Sequence, residues 1–296
     1  IEPRQIMVRN LQITPSGWPQ HVDTLRTAVV SDLHVGSTVV NLGRLSEVVQ
    51  LINQQDPDLI LLGGDYVATA SLGGEIVPPS KIAHELSKLK APLGVIAVLG
   101  NHDWWLDGEL VRDEFEKVGI LVLENQVHHL QRENGALWVA GIADDITRSP
   151  DVDGTLRKMP DDAPVIILTH DPAQFMDVPE GPYLTVAGHT HGGQVYLPFL
   201  GALITPSRAP MKWIYGHIKE EGRDLYVTSG IGTSILPVRF NMPPEIVVID
   251  IGREENSMAS RVDFSEEWLI SITIPTLFIS LITSFPILVM PVSLSS

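Results

Sequence analysis

Aspartate, asparagine and histidine recur in five short blocks of this sequence: Ser31-Asp32-Leu33-His34, Gly63-Gly64-Asp65, Gly100-Asn101-His102-Asp103, Thr169-His170-Asp171 and Gly188-His189-Thr190-His191. Carboxylate and amide oxygens together with imidazole nitrogens are the donors that suit manganese, iron or zinc. The chain has no cysteine, so thiolate zinc sites, iron–sulfur clusters, disulfides and cysteine nucleophiles are all excluded. Five of the ten histidines, His34, His102, His170, His189 and His191, fall inside these blocks. Satisfied core histidines do not explain that placement, whereas a shared metal centre does. His21, His84, His128, His129 and His217 lie outside the blocks and read as solvated or structural.

Each block follows an apolar, β-branched run of strand length: Leu25 to Val30, Leu59 to Leu62, Val95 to Leu99, Val165 to Leu168 and Leu184 to Ala187. Runs of this kind are buried strands. Helical patterns cover Leu42 to Gln55, Ser80 to Lys90 and Leu106 to Val118; the first puts Leu45, Val48, Val49 and Ile52 on one face, and Pro57 stops it. In open α/β sheets ligands bind beyond the carboxyl ends of the strands. Mainly parallel strands would therefore bring all five blocks to one rim, with the neighbouring glycines permitting tight turns. The later runs Leu137 to Ile142, Leu225 to Thr228 and Ile246 to Ile251 lack nearby helical partners and suggest a second, more antiparallel set of strands. The expected class is α/β, with two packed sheets and helices outside them.

The chain of 296 residues carries 20 basic and 36 acidic side chains, a formal charge of −16. That balance excludes a nucleic-acid partner, and any phosphate chemistry must bring its own local positive charge. With 44% hydrophobic residues the chain has ample material for a core. No signal segment or anchor is expected at the start, which opens on Ile1. From Trp268 to Ser296 there is no Asp, Glu, Lys, Arg or His, although Pro275, Pro286 and Pro291 interrupt the run. It is long enough for a bilayer core, which takes about 20 apolar residues. A membrane segment, a pair of docked strands and a tail unrelated to the domain all fit it. The expected organisation is a catalytic domain over 1–253, then a linker and uncharged apolar tail over 254–296.

The ordered blocks resemble the calcineurin-like metallophosphoesterases over roughly Leu25 to Asp250. Gly100-Asn101-His102-Asp103-Trp104-Trp105, Gly188-His189-Thr190-His191-Gly192-Gly193-Gln194, Gly230-Ile231-Gly232 and Pro237-Val238-Arg239-Phe240 before Pro244-Glu245 resemble a bacterial phosphodiesterase-like branch that includes UDP-2,3-diacylglucosamine hydrolases. The resemblance implies a four-layer α/β/β/α sandwich of two mixed sheets. It also implies two divalent metal ions, manganese before iron or zinc. One would take Asp32, His34 and His191, the other Asn101, His170 and His189, with Asp65 bridging. Two divalent cations against two carboxylates leave a positive pocket in an acidic protein. The implied reaction is hydrolysis of a phosphodiester or pyrophosphate by in-line attack of a metal-bridging hydroxide, and the alternatives are a phosphomonoesterase or a non-catalytic metal-bound scaffold at a membrane. The substrate would be a small or lipid-linked phosphoester, with a membrane surface as a further partner.

Within that frame His102 resembles a non-ligand histidine serving the leaving oxygen. Asp103 either orients it or caps a turn. Arg239 and Arg208 either bind phosphate oxygens as guanidinium forks or make surface ion pairs. Trp104 and its neighbour Trp105 either floor a substrate groove, touch lipid or pack.

Overall fold

Nearly every expected strand forms where the apolar runs lie, in a computed structural model that describes residues 5–69, 72–132, 135–197, 201–202 and 205–252. The first sheet holds β1 (Met7–Ile13), β2 (Leu25–Val30), β3 (Leu59–Leu62), β4 (Val95–Ala97) and β5 (Leu121–Val122), plus a strand from the end of the domain. The second holds β6 (Gln126–Leu130), β7 (Leu137–Gly141), β8 (Val165–Leu168), β9 (Tyr183–Ala187), and later β12 (Gly216–Glu220) and β13 (Arg223–Val227); β10 (Tyr196–Leu197) and β11 (Gly201–Ala202) form a small ribbon. The strand that completes the first sheet is β14 (Glu245–Ile251), giving the order β1-β14-β2-β3-β4-β5 beside β12-β13-β9-β8-β7-β6.

Two features depart from the expected topology. The second sheet is parallel at its centre, from β13 through β9 and β8 to β7, and antiparallel only at its β12 and β6 edges. The run at 246–251 belongs to the first sheet, where β14 lies antiparallel to β2 and parallel to β1. Strand direction depends on how the chain crosses over. Here a one-turn helix, α4 (Val152–Leu156), and a 3-10 turn (Pro172–Asp177) make crossovers too short to register as helical patterns.

Alternation along the strands builds the layers. In β3, Leu59 and Leu61 enter a core shared with Val139, Ile166, Leu168 and Leu184 of the second sheet. Ile60 and Leu62 point the other way, against the helices α1 (Leu42–Asn53), α2 (Pro79–Leu86) and α3 (Asn101–Lys117). Val165 and Ile167 of β8 face a third core with Phe175 and Trp213, which α4 (Val152–Leu156) flanks through Val152. The result is an α/β/β/α sandwich whose inner strands β3 and β8 are apolar throughout because both their faces are buried, whereas the edge strands β1, β6 and β12 carry polar, exposed residues. Each fully buried Leu or Ile contributes about 1.5–3 kcal/mol relative to exposure.

Helix α3 starts five residues before the amphipathic pattern suggests. Asp107 (φ −174°, ψ 90°) breaks it, and the Asp107 carboxylate accepts from Leu110 N–H at 3.1 Å to begin the second segment. The pattern over 106–118 captures that second segment. The first turn carries Asn101, His102 and Asp103, polar residues that face the rim rather than the core.

The chain divides into two compact units, Ile1–Glu255 and Asn256–Ser296. The second, including the uncharged run from Trp268, lies outside the described residues. Among the described residues no helix is long and apolar enough to cross a membrane.

Candidate metal centre

Asp32 and His34 leave β2 with left-handed backbone (φ 54° and 43°), as do Asp65 after β3 (56°) and His189 and His191 after β9 (66° and 50°). Residues with a Cβ pay for that conformation, and such strain gathers at functional sites. Hydrogen bonds between turns hold it: Asp32 N–H donates to Gly64 O at 2.9 Å, His34 N–H to Asp65 O at 3.0 Å, and Gly188 N–H to His170 O at 2.9 Å. Asp32 then reaches across the sheets, its carboxylate accepting from His189 N–H at 3.0 Å. A side chain at Gly100 would collide with Asp65 and His170, and one at Gly188 with Ser31 and Asp32, so these two positions require glycine.

The turns bring donor atoms together in three groups, each within 4.8 Å: Asp32, His34 and His191; His34, Asp65 and His102; and Asp65, His170 and His189. His34 Nε2 faces His191 Nε2 at 3.2 Å, and His189 Nδ1 faces His170 Nε2 at 3.1 Å. Asp65 Oδ2 stands between the two imidazole pairs, 3.2 Å from His170 Nε2 and 3.7 Å from His34 Nε2. Imidazole nitrogens aimed at each other, with a carboxylate oxygen beside them, are arranged for shared cations. Asn101 Oδ1 is buried and has no hydrogen-bond partner, a costly state for a carbonyl that a cation would relieve. The donors present thus fit a dinuclear divalent site. His170 Nδ1 lies 2.7 Å from Gly63 O, which as an acceptor fixes the proton there and turns Nε2 toward the site.

Burial sets the electrostatics. It drives His34 down to about 3 against the pull of Asp65, and lowers His191 well below the usual imidazole range with help from His34 and Arg239. His189 is lowered by burial and by His170. Asp32 is pushed up to about 6 by burial, with repulsion from Asp65 adding to it and His170 opposing it. The exception is the Asp65–His170 pair: burial opposes its ionisation, but mutual attraction outweighs that penalty, holding Asp65 well below and His170 well above their ordinary values. The pairing thus favours a charged His170 beside an ionised Asp65. A divalent cation would take over that charge and release the proton.

All seven expected ligand residues and His102 meet at this rim. The other expected site residues stand elsewhere. Asp103 does not orient His102: its carboxylate accepts from Asp65, Tyr66 and Gly100 N–H at 2.9, 2.8 and 2.9 Å, capping α3 and clamping the Asp65 turn. The group that bonds His102 is Thr69, whose Oγ1 lies 2.7 Å from Nδ1. Arg239 is buried with its donors spent on the carbonyls of Gly232, Ser229 and Met242 and on His191 Nδ1 at 3.3 Å. It fastens a loop and steadies a ligand rather than presenting a fork to substrate. Arg208 forms an exposed two-bond ion pair with Asp145 at 2.7 and 3.0 Å. Trp104 packs over Gly108 and under the Arg148 guanidinium at 4.1 Å, whereas Trp105 is exposed with its ring 4.7 Å from that of His102. Helical rotation decides between adjacent tryptophans, and a sequence run cannot.

Two acids complete the surroundings. Asp171 Oδ2 lies 3.7 Å from His189 Nε2, and its Oδ1 accepts from Ser207 Oγ at 2.5 Å. Asp144, buried beyond β7, favours the charged forms of both His170 and His189. Its signal in the sequence is the same as that of the five blocks: an apolar run, Leu137 to Ile142, ending in acids.

The profile of the calcineurin-like phosphoesterases matches residues 25–218. The metallophosphoesterase YkuE of Bacillus subtilis is 32% identical over 265 residues, 85% of this chain and 87% of that protein. The phosphodiesterase YaeI of Escherichia coli is 30% identical, covering 75% of this chain and 80% of its own length. A metallophosphoesterase of Helicobacter pylori is 29% identical over 76% of this chain, which spans 59% of that longer protein. The profile match over about two thirds of the chain and the relatives of 30% identity or more agree: this chain belongs to the calcineurin-like phosphoesterase family.

Proposed function

We propose that the protein hydrolyses phosphodiester or pyrophosphate bonds with two divalent ions, manganese in the first instance, held by Asp32, His34 and His191 on one side and Asn101, His170 and His189 on the other, with Asp65 shared. The observation that carries this reading is the carboxylate oxygen of Asp65 set between two imidazole pairs. Bound divalent ions would polarise phosphate oxygens and make water a competent nucleophile near neutral pH. Hydrolysis adds water across a P–O bond, and the departing oxygen needs a proton. Thr69 Oγ1 lies 2.7 Å from Nδ1, and assigning its hydroxyl as the donor there places the ring proton of His102 on Nε2. Burial lowers the pKa of His102, so the neutral ring would steady the departing oxygen as a hydrogen-bond donor at pH 7, while the proton that oxygen finally takes comes from water.

A diester is favoured over a monoester on charge. A diester monoanion carries less charge than a monoester dianion and asks less of groups beyond the metals, and both candidate arginines are engaged, Arg239 by carbonyls and Arg208 by Asp145. The name of YaeI as a phosphodiesterase points the same way. The test is a hydrolysis panel on metal-loaded protein: bis(p-nitrophenyl) phosphate, p-nitrophenyl phosphate and a lipid-linked UDP-sugar. The expected result is cleavage of the diester faster than the monoester. Cleavage of the monoester alone would overturn the diester preference, and no cleavage with both metal sites filled would overturn the hydrolase reading.

A further inference from the structure

The loop after β13 is inverted relative to an ordinary surface loop. Over 233–242 its charged residue, Arg239, is 4% exposed and tied to the carbonyls of Ser229, Gly232 and Met242, while Ile235 is 63% and Phe240 47% exposed, with Leu236 and Val238 between these values. Exposed apolar side chains are common singly; a contiguous group beside a reaction centre calls for an explanation. Contiguity here is structural. Leu72, 68% exposed, donates its N–H to Ile235 O at 2.9 Å, and Gln194 Nε2 donates to Leu236 O at 2.9 Å. Phe240 N–H donates to Gln194 O at 3.0 Å, and Gln194 N–H to His191 O at 2.9 Å, which ties the rim to a metal-ligand turn. Ile235 also sits at φ 53°, a conformation that β-branched residues avoid and that is retained at a cost of roughly 1–3 kcal/mol.

We infer that Leu72, Ile235, Leu236, Val238 and Phe240 form a docking surface that seats the mouth of the metal centre on a net-neutral lipid surface. Charge decides the occupant. A protein partner is usually held through a polar rim with complementary charges. Over 233–242 the loop offers no exposed charge, since its one arginine is turned inward. The chain's net charge of −16 repels an anionic bilayer, so the contact is apolar insertion rather than electrostatic attraction. The chain's uncharged run from Trp268 to Ser296 is a second apolar segment of composition suited to lipid.

The inference rests on the hydrolase reading only for what the mouth would meet there; docking itself is read without turnover. The experiment is co-sedimentation of the full, metal-loaded chain with phosphatidylcholine vesicles at low and high salt. The parent protein should bind, with little dependence on salt. Leu236→Ser combined with Val238→Ser, and separately Leu72→Ser, should each weaken binding, the double variant about tenfold or more. Hydrolysis of a soluble diester by these variants should stay at the parent level. Parent-level vesicle binding by the variants, or no binding by the parent, would overturn the inference. So would a concentration-dependent dimer that the variants dissolve, because a second copy would then be the occupant. Loss of soluble-diester turnover in the parent would instead count against the hydrolase reading and leave the vesicle result to stand by itself.

Discussion

The two sheets bring different chemistry to the same rim. The first supplies both carboxylates, the amide and one imidazole, through Asp32, His34, Asp65 and Asn101; the second supplies His170, His189 and His191. Each proposed ion draws on both. Asp32 and His34 meet His191, and Asp65 with Asn101 meets His170 and His189, so in this assignment each cation is held by both sheets. The site is therefore a clasp between sheets as well as a reaction centre. The group proposed to be shared, the Asp65 carboxylate, belongs to the first sheet, and the imidazole that this carboxylate pushes toward its charged form, His170, to the second.

That asymmetry can be broken at its shared member first. Asp65→Ala should lose both ions and all measurable turnover, read by elemental analysis of dialysed protein alongside diester hydrolysis. Retention of one ion per chain would show that the halves are independent. Next, His102→Ala should keep both ions while kcat falls by about 10²–10⁴-fold, the usual range for a positioned acid or base. Loss of metal in this variant would make His102 a ligand, in keeping with its place beside His34 and Asp65.

Proton linkage sharpens the contrast between the halves. Metal binding requires an ionised Asp32 and a neutral His170. Asp32, near 6 without metal, loses its proton as pH rises through that value, and His34 and His191 are already neutral. Affinity at the Asp32 half should thus rise up to about pH 7 and level off. At the His170 half it should go on rising, because the His170 proton is held well above the ordinary value and must be displaced. Calorimetric titration with manganese from pH 5.5 to 8.5 would measure both slopes; parallel slopes would contradict the assignment. The smallest effect is expected at Arg208. Its exposed pair with Asp145 is of a kind worth about 0–1 kcal/mol, so Arg208→Ala should leave metal content unchanged and diester turnover within about twofold.

Much of the site was legible because its signals are local. A buried strand followed by Gly, Asp, Asn or His announces a turn that delivers donor atoms, and the seven proposed ligand residues lie in such turns, although their roles as ligands come from the family resemblance. Other features depended on what lies across the fold. Asp103 and Arg239 look like functional polar groups, yet each is spent on backbone partners far away in sequence, Asp103 on the Asp65 turn and Arg239 on carbonyls and His191. Thr69 carries no motif at all and acquires its place only when its loop lies over His102.

The sequence by itself determined the residue types, the strand-end positions and the thiol-free donor set, because turn chemistry and apolar periodicity act within a few residues. Tertiary structure decided which donors come within reach of one another, that the second sheet runs parallel at its centre, and that Trp105 rather than Trp104 borders His102. It also turned Arg239 inward while leaving the apolar residues around it outside. Those outcomes follow from long-range packing: which face of a turn is buried is set by the element that comes to lie against it.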